Sequence, residues 1–244
     1  MKITYHHVGD SALQISFGQE ISEAINIKVY TMAQLLKDRQ LKGILELVPA
    51  YTTLTIYYNP LVLSSKELLE ALQSLEVQLV TNAKSNSMVL EIPVCYGGDL
   101  GPDLEFVAKT NGLSLEEAIA LHTAPYYRIY MLGFLPGFTY LGGLNQRLAT
   151  PRLKEPRLAI APGSVGIAGQ QTGIYPLESP GGWQLIGRTP LKLYDPLRPE
   201  PFLPQAGHYI HFKPISQEEY TAISQAVANN TYTCATYPLP GGVL

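Results

Sequence analysis

The sequence has few cysteines and few charged residues, and these shortages exclude several classes of protein. Only 2 of its 244 residues are cysteine, Cys95 and Cys234, so neither a disulfide framework nor a four-cysteine metal site can form. Charged residues make up 15% of the chain, and 17 basic against 20 acidic residues give a net charge of −3. Proteins that bind nucleic acid through its phosphates are usually basic, so we expect no nucleic-acid partner. The scarcity of cysteine indicates a reducing, cytoplasmic compartment.

Long apolar runs are missing as well. The longest uncharged stretch, residues 158–177, contains Pro162, Pro176 and four glycines, which interrupt a membrane-spanning helix. The first residues contain no apolar core of a signal peptide, so we expect neither secretion nor a membrane anchor. Hydrophobic residues still make up 46% of the chain, which is enough for one large or two small globular domains.

The first third of the chain has the pattern of a small α/β domain. Apolar residues one helical turn apart predict a helix around residues 25–36, and Ser64 with Glu67 forms a capping box for a second helix. β-branched and aromatic residues predict strands over 12–17, 43–48, 51–58 and 88–94. The order β-α-β-β-α-β predicts a ferredoxin-like fold. Because the polar residues 81–87 are typical of a linker, we expect one domain over 1–86 and another over 87–244.

The remaining chain has the pattern of a glycine-rich β domain. Helices are predicted over 103–110, after the capping box of Ser114 and Glu117, and after a third capping box of Ser216 and Glu219. Short strands are predicted over 164–168, 183–186, 190–194 and 208–215. Many short strands separated by glycine and proline turns favour a barrel or a sandwich.

Basic residues are concentrated in one segment of this second domain. Residues 120–192 contain seven basic and two acidic side chains, a local charge of +5. Arginine recognises carboxylates and phosphates, and glycine lets backbone N–H groups approach an anion, so we expect a small anionic ligand. The alternative is that these side chains are scattered surface charges or bridges between loops. The seven are Arg128, Arg147, Arg152, Lys154, Arg157, Arg188 and Lys192.

Several catalytic signatures are absent from the sequence. It contains no phosphate-binding P-loop, no dinucleotide fingerprint, no G-x-S-x-G nucleophile motif and no metal-ligand spacing, so we expect no metal. Cys95 is either a nucleophile with His122 as its base or a small buried residue. His122 itself lies on the apolar face of a predicted helix and is either a core histidine or a site residue. Trp183 either stacks on a ligand or fills the core.

The second domain carries a series of distinctive strings. They are IPVCYGG over 92–98, LGFLPGF over 132–138, GSVGIAG over 163–169, QTGIYP over 171–176, SPGGW over 179–183 and IGRTP over 186–190. Together they closely resemble the family of 5-oxoprolinase B subunits, also called the KipI or allophanate hydrolase subunit 1 family. The resemblance is dense over residues 92–195 and extends to the general layout of the first third.

This resemblance implies an α+β protein in which a cyclophilin-like β-barrel follows the ferredoxin-like domain. It implies an enzyme subunit, inactive alone, that acts with a KipA-type C subunit and an A subunit to convert 5-oxo-L-proline to L-glutamate. ATP is implied as a cofactor, bound either by this chain or by the complex. Two alternatives within the family are an inhibitor of a sensor histidine kinase and a carboxyltransferase module of a urea carboxylase-like system.

The substrate of such an enzyme is a small carboxylate, which suits the basic segment. We therefore expect Arg152, Arg157 and Arg188 to converge on the substrate. Polar groups beside glycines are expected either to line the same pocket or to complete turns, and His122 is the candidate catalytic residue. The polar groups are Gln171, Thr172 and Tyr175.

Overall fold

The computed structural model describes residues 3–79 and 87–240, and these form two compact units, one over each range. Residues 81–86 of the predicted linker lie outside the described residues. Ser87 is buried, and its hydroxyl donates a hydrogen bond to the Gly207 carbonyl at 3.3 Å. In the described part of the chain, no helix combines the length and apolarity needed to cross a membrane.

The first unit is a four-stranded antiparallel sheet packed against two helices. Leucine, isoleucine and valine side chains from the strands and from both helices form its core. The strands pair in the order β1-β2-β4-β3. The elements are β1 (Thr4–His7), β2 (Ala12–Ser16), α1 (Glu23–Arg39), β3 (Ile44–Pro49), β4 (Thr53–Tyr58) and α2 (Ser65–Glu76), with a 3₁₀ turn at Val77–Leu79.

Both helices bury the faces that the sequence predicts, and α2 begins at its predicted cap. The Ser22 hydroxyl accepts a hydrogen bond from the Ile25 N–H at the start of α1, and Ser64 with Glu67 completes a capping box at the start of α2. These caps satisfy N–H groups that have no partner within the helix. The predicted buried face of α1 consists of Ile25, Val29, Met32 and Leu36, and that of α2 consists of Leu68, Leu72 and Leu75.

The predicted strand order of this unit is wrong at both ends. The strand predicted over 88–94 belongs to the other unit, where Met88–Tyr96 lies inside the larger sheet. The edge of the small sheet is filled instead by β1, which contains His6 and His7, both exposed. A short edge strand with so many polar groups has no clear alternation, which explains why the sequence pattern missed it.

The second unit is built around one large sheet. A separate two-stranded sheet and three helices complete it. The helices are α3 (Leu104–Thr110), α4 (Leu115–Thr123) and α5 (Gln217–Ala228), with 3₁₀ turns at Gly98–Leu100 and Gln146–Leu148. The strands are β5 (Met88–Tyr96), β6 (Tyr126–Leu132), β7 (Thr139–Gly142), β8 (Arg157–Ile160), β9 (Ser164–Ala168), β10 (Gln171–Ile174), β11 (Ser179–Gly181), β12 (Gln184–Arg188), β13 (Tyr209–Pro214) and β14 (Thr236–Pro238).

The large sheet curls into a nearly closed barrel. Its strands pair in the order β10-β9-β12-β5-β13-β6-β7, with β14 also paired to β5, while β8 pairs with β11 in the small sheet. The terminal strands β10 and β7 lie against each other, which nearly closes the sheet. Among these pairs, β5 and β13 run parallel to each other. The main core fills the interior with aliphatic side chains together with Tyr127 and Phe212.

Most of the predicted elements of this unit are confirmed, and one is wrong. The three helices follow their predicted starts, and strands β9, β12 and β13 match their predicted runs to within a few residues. Residues 190–194 do not form a strand, although Leu191 and Leu193 are buried. Tyr194 makes a single bridge to Phe202. Here the apolar alternation comes from a loop that lies on the core, and a sequence pattern cannot distinguish that loop from a strand.

Gly101 provides a test of this packing. A Cβ on Gly101 would lie 2.2 Å from the Ile186 carbonyl oxygen and 2.7 Å from the Gly187 nitrogen, and backbone atoms in a sheet cannot yield. We expect Gly101→Ala to lower the free energy of unfolding by about 3 kcal/mol, measured by urea denaturation. Gly182→Ala is the matched control, because its nearest neighbour would be 3.6 Å away. Equal stability of the two variants would contradict this packing.

Candidate functional site

Five aromatic rings surround a small open cavity in the second unit, which we call the aromatic pocket. Its volume is about 200 Å³, below the ~300–1,000 Å³ of most drug-sized ligand sites, so it suits a small molecule. The Phe138 ring is the centre of the cluster and meets its neighbours edge to face at centroid distances of 5.3–5.7 Å. The lining residues are Phe134, Phe138, Tyr140, Arg152, Gln171, Tyr175 and Pro180–Trp183.

Glycines on β10 and β11 make room for these rings. A Cβ on Gly173 of β10 would lie 3.1 Å from the Trp183 ring and 3.4 Å from the Phe138 ring. A Cβ on Gly181 would lie 2.4 Å from the Tyr175 hydroxyl. Larger residues at either position would push the rings into the cavity, so the glycines set the shape of the pocket.

Arg152 is the charged group at the mouth of the pocket. Its side chain is exposed, and within residues 3–79 and 87–240 it makes no ion pair or hydrogen bond. Its charge lies close enough to the Tyr175 hydroxyl to favour ionisation, but burial dominates and raises the pKa of Tyr175. The Tyr175 hydroxyl therefore stays protonated at neutral pH. The pocket thus offers one free guanidinium and one neutral hydroxyl beside a wall of aromatic rings.

Arg157 lies beside the pocket and is bound to a carboxylate of the protein. One guanidinium nitrogen is 2.8 Å from both carboxylate oxygens of Asp103, and another donates to the Trp183 carbonyl at 3.2 Å. Asp103 also accepts a hydrogen bond from the Leu185 N–H at 2.6 Å. We call this arrangement the Asp103–Arg157 clamp. It fixes the backbone on both sides of Gln184 and therefore the position of Trp183.

His122 lies in the core and does not line the aromatic pocket. Its Nε2 is 2.8 Å from the Thr172 hydroxyl, and its Nδ1 is 2.8 Å from the Tyr96 hydroxyl. Because Thr172 donates its own proton to the Gly166 carbonyl, Nε2 carries the imidazole proton and Nδ1 accepts one from Tyr96. Burial lowers the pKa of His122 to about 3. The geometry supports the core-histidine interpretation, and we do not propose His122 as a catalytic base.

Arg188 and Cys95 lie elsewhere on the barrel. Arg188 on β12 pairs in register with Cys95 on one side and Ser164 on the other, and it does not line the aromatic pocket. Cys95 is buried, and its thiol lies 3.6 Å from the Gln217 side-chain oxygen. Burial raises the pKa of the Cys95 thiol. Since both ring nitrogens of His122 are occupied by other partners, the structure contains no Cys95–His122 catalytic pair.

The predicted site residues therefore separate into three groups. Arg152, Gln171 and Tyr175 line the aromatic pocket. Arg157 holds the adjacent backbone, and the other three do not line this pocket, so of the three arginines expected to converge only Arg152 lines it. The other three are His122, Thr172 and Arg188.

Most of the aromatic wall lies outside the site residues that the sequence predicts. Phe134, Phe138 and Tyr140 lie within one short stretch around Gly137, whose φ is +83°, and Phe134 itself adopts a φ of +63°. Aromatic residues interrupted by glycine and proline were the available signal. Among the described residues, no group of three or more histidine, cysteine or acidic side chains is arranged to hold a metal ion.

The placement of His122 predicts a pH dependence of stability. In the unfolded chain the imidazole titrates near its usual ~6.5, whereas in the folded protein its pKa is about 3. As the pH falls from 6.5 towards 3, the unfolded state takes up a proton that the folded state cannot accept, so stability falls by about 1 kcal/mol per pH unit. His122→Gln removes this contribution. Denaturation from pH 7 to 4 should be less pH-dependent in the variant, and equal slopes would contradict the assignment.

The Asp103–Arg157 clamp predicts different roles for two neighbouring arginines. Arg157→Ala leaves Asp103 without its partner, and we expect it to lower the free energy of unfolding by about 2 kcal/mol and to shift the emission of Trp183. Arg152→Ala is the matched control, because an exposed side chain without partners should change stability by less than ~0.5 kcal/mol. Urea denaturation followed by tryptophan fluorescence measures both. Equal losses in the two variants would show that the clamp does not stabilise the protein.

Comparison with known proteins places the chain in a family. Residues 3–204 match the family model of the carboxyltransferase domain, subdomain C and D. The B subunit of 5-oxoprolinase from Bacillus subtilis (strain 168) is 45% identical over 228 residues, covering 89% of this chain and 95% of that protein. The B subunit of 5-oxoprolinase from Escherichia coli O157:H7 is 41% identical over 210 residues, covering 85% and 94%.

A solved structure shares the fold at much lower identity. The crystal structure of the Kluyveromyces lactis urea amidolyase is 21% identical and superposes with a TM-score of 0.77, covering 97% of this chain and 16% of that one. The mixed α/β architecture with its nearly closed barrel is therefore that of the carboxyltransferase fold. With 40–45% identity over nearly the whole length of the curated relatives, the chain belongs to the family of 5-oxoprolinase B subunits.

Proposed function

We propose that this chain is the B subunit of an ATP-dependent 5-oxoprolinase and that its aromatic pocket binds 5-oxo-L-proline. Family membership supports the enzyme class. The observation that carries the binding site is the free guanidinium of Arg152 at the mouth of a small aromatic cavity. We place the reaction in the cytoplasm, consistent with two free cysteines.

The proposed substrate matches the chemistry of the pocket. Its carboxylate pairs with Arg152, because guanidinium groups recognise carboxylates through two parallel hydrogen bonds. The flat five-membered lactam ring packs against Phe138 and Trp183, and the Gln171 amide and the Tyr175 hydroxyl provide partners for the lactam C=O and N–H. One charged anchor with an apolar wall and a few polar groups is the usual make-up of a small-molecule site.

The pocket by itself binds a substrate and does not cleave it. Its lining contains no histidine, cysteine, aspartate or glutamate, so it supplies neither a nucleophile nor a general base of ordinary strength. Opening the stable lactam therefore needs groups from elsewhere, which supports a chain that is inactive alone and acts with an A subunit and a KipA-type C subunit. We further propose that the barrel is of the cyclophilin-like type.

ATP makes the lactam reactive in this proposal. Transfer of the γ-phosphoryl group to the lactam oxygen releases ADP and makes the ring carbon electrophilic. Water adds to that carbon, the C–N bond breaks as the ring nitrogen takes a proton, and hydrolysis of the acyl phosphate that forms gives L-glutamate and phosphate. The aromatic pocket, at about 200 Å³, is too small for a nucleoside triphosphate together with the lactam. The nucleoside part of ATP therefore lies outside the aromatic pocket, and only its γ-phosphate reaches the lactam oxygen.

Carboxyl transfer is the second candidate function. It is favoured by the family model, which describes a carboxyltransferase domain. A carboxyltransferase would accept a carboxyl group from a biotin carrier protein. Incubation of the chain and its partner subunits with carboxylated biotin separates the two functions, since only a carboxyltransferase would accelerate loss of the carboxyl group.

Binding of 5-oxo-L-proline can be followed directly, because Trp183 is the single tryptophan of the chain and lies in the pocket. Titration should change its fluorescence, and Arg152→Ala should weaken the affinity by at least about tenfold through loss of a charged hydrogen bond. Arg147→Ala is the matched control from the same basic segment. A titration that leaves the fluorescence of the unaltered chain unchanged would remove the pocket from the proposal.

Activity is measured separately, in the assembled enzyme. With the A and C subunits present, ATP-dependent release of L-glutamate should require this chain, and Arg152→Ala should raise the KM for 5-oxo-L-proline by about tenfold. Full activity of the A and C subunits without this chain would exclude the proposed function.

A further inference from the structure

A second and larger cavity lies in the same unit, between the segment 191–203 and the end of α5. Its volume is about 520 Å³, within the ~300–1,000 Å³ of small-molecule sites. We call it the basic cavity. Its lining residues are Leu191, Lys192, Asp195, Leu197, Arg198, Pro199, Leu203, Val227, Asn230, Tyr232 and Cys234.

The floor of the basic cavity is apolar. Leu191 belongs to the main core, and Leu203 and Val227 pack against that core while remaining partly exposed to the cavity. Leu197 at the rim is 92% exposed. A ligand that lies here can therefore cover apolar surface that water now contacts.

Two cations share one carboxylate at the mouth. The Lys192 Nζ and the Arg198 Nε are each 3.8 Å from the same oxygen of Asp195. These separations exceed the ~2.7–3.2 Å of a hydrogen bond, so both cations can still bind a closer anion. Together, the side chains of Lys192, Arg198 and Asp195 carry a net charge of +1. Glu91, which lies near Tyr232 and Cys234, is already paired with Lys213 at 3.1 Å.

The segment that carries the cations is held in place by its own hydrogen bonds. The second oxygen of Asp195 accepts from the Leu197 N–H at 3.1 Å, and the Arg198 guanidinium donates to the Lys192 carbonyl. The Asp195 carboxylate and the Arg198 guanidinium are therefore held in place before any ligand arrives, which reduces the entropy lost on binding.

The remaining polar groups of the basic cavity are better suited to binding a ligand than to catalysing a reaction. Burial and the nearby Glu91 raise the pKa of Cys234 to about 12, and its thiol donates to the Glu91 carbonyl at 3.1 Å. It therefore stays protonated and is a poor nucleophile. Asn230 and Tyr232 add neutral hydrogen-bonding groups to the wall.

From this combination we propose that the basic cavity is a second binding site, for an organic phosphate. The phosphate, with several acceptor oxygens and a charge near −2, meets Lys192 and Arg198, and the apolar portion of the ligand lies on Leu191, Leu203 and Val227. The site is separate from the aromatic pocket and does not depend on what that pocket binds.

The test measures binding to the full-length chain by titration calorimetry, with ADP as the main probe and glucose 6-phosphate as a second organic phosphate. We expect ADP to bind and added salt to weaken it. Adenosine and inorganic phosphate should each bind more weakly than ADP, because each supplies only one part of the ligand.

The Lys192→Ala, Arg198→Ala double variant should lose at least about tenfold in its affinity for ADP. Lys154→Ala, from the same basic region, should bind as the unaltered chain does.

A variant that leaves the charges in place keeps the proposal testable if the double variant does not fold. Val227→Phe fills the floor of the cavity and should also weaken ADP binding by about tenfold or more, while inorganic phosphate binding should change little. Trp183 fluorescence should not respond to ADP, because that residue lies in the aromatic pocket.

Four results would overturn the proposal. One is no binding of either organic phosphate at millimolar concentration. Another is an affinity for ADP that is unchanged in both the double variant and the Val227→Phe variant. The third is a Trp183 response to ADP that persists in those variants, which would place ADP in the aromatic pocket. Tighter binding of small carboxylates such as L-glutamate than of ADP at this cavity would assign it to a different class of ligand.

Discussion

The Asp103–Arg157 clamp is the interaction on which the geometry of the aromatic pocket depends. One carboxylate, at the start of α3, binds a guanidinium from β8 and a backbone N–H from β12 at the same time. These three elements are far apart in the sequence, and the clamp brings them together next to Trp183. Removing either charged partner would leave the other partly buried and unpaired, which is costly. The pocket is therefore organised by a charge pair that does not itself contact the ligand.

Close approach of rings to glycines is the second constraint. Gly173 and Gly181 leave space that Phe138, Tyr175 and Trp183 occupy. Five rings in edge-to-face contact form the wall before a ligand binds, so a small ligand loses little of its affinity to ordering the protein. A single exposed arginine is then sufficient to orient a carboxylate.

The segment 191–203 connects the aromatic pocket to the basic cavity, since a Cβ on Gly137 would lie 3.0 Å from the Cβ of Tyr194.

Much of the fold could be predicted from the sequence, because helix signals are local. The capping boxes at Ser64, Ser114 and Ser216 located three helix starts, and one-turn apolar spacing identified the buried faces of α1 and α2. Strand partners are not local. Nothing in the pattern of Met88–Tyr96 tells which of two sheets it joins, so the sequence pattern predicts the wrong fourth strand for the first unit and leaves out β1.

The residues of the aromatic pocket could be predicted less well than the fold, because their contacts also join positions that are distant in the sequence. Arg152, Arg157 and Arg188 look alike in the sequence, yet one is free, one is bound to Asp103 and one lies on another part of the barrel. Only the three-dimensional position of Asp103 distinguishes the first two. His122 resembled a catalytic histidine because its partners, Tyr96 and Thr172, are distant in the sequence. Aromatic residues are so often core residues that their convergence into an open pocket left no clear signal.

The most direct measurement is a crystal structure of the full-length chain with 5-oxo-L-proline. The account predicts the lactam ring in the aromatic pocket, against Phe138 and Trp183, with its carboxylate in hydrogen-bond contact with Arg152 and the Asp103–Arg157 clamp intact. A structure with the lactam bound elsewhere and the aromatic pocket empty, or with the carboxylate directed away from Arg152, would contradict it.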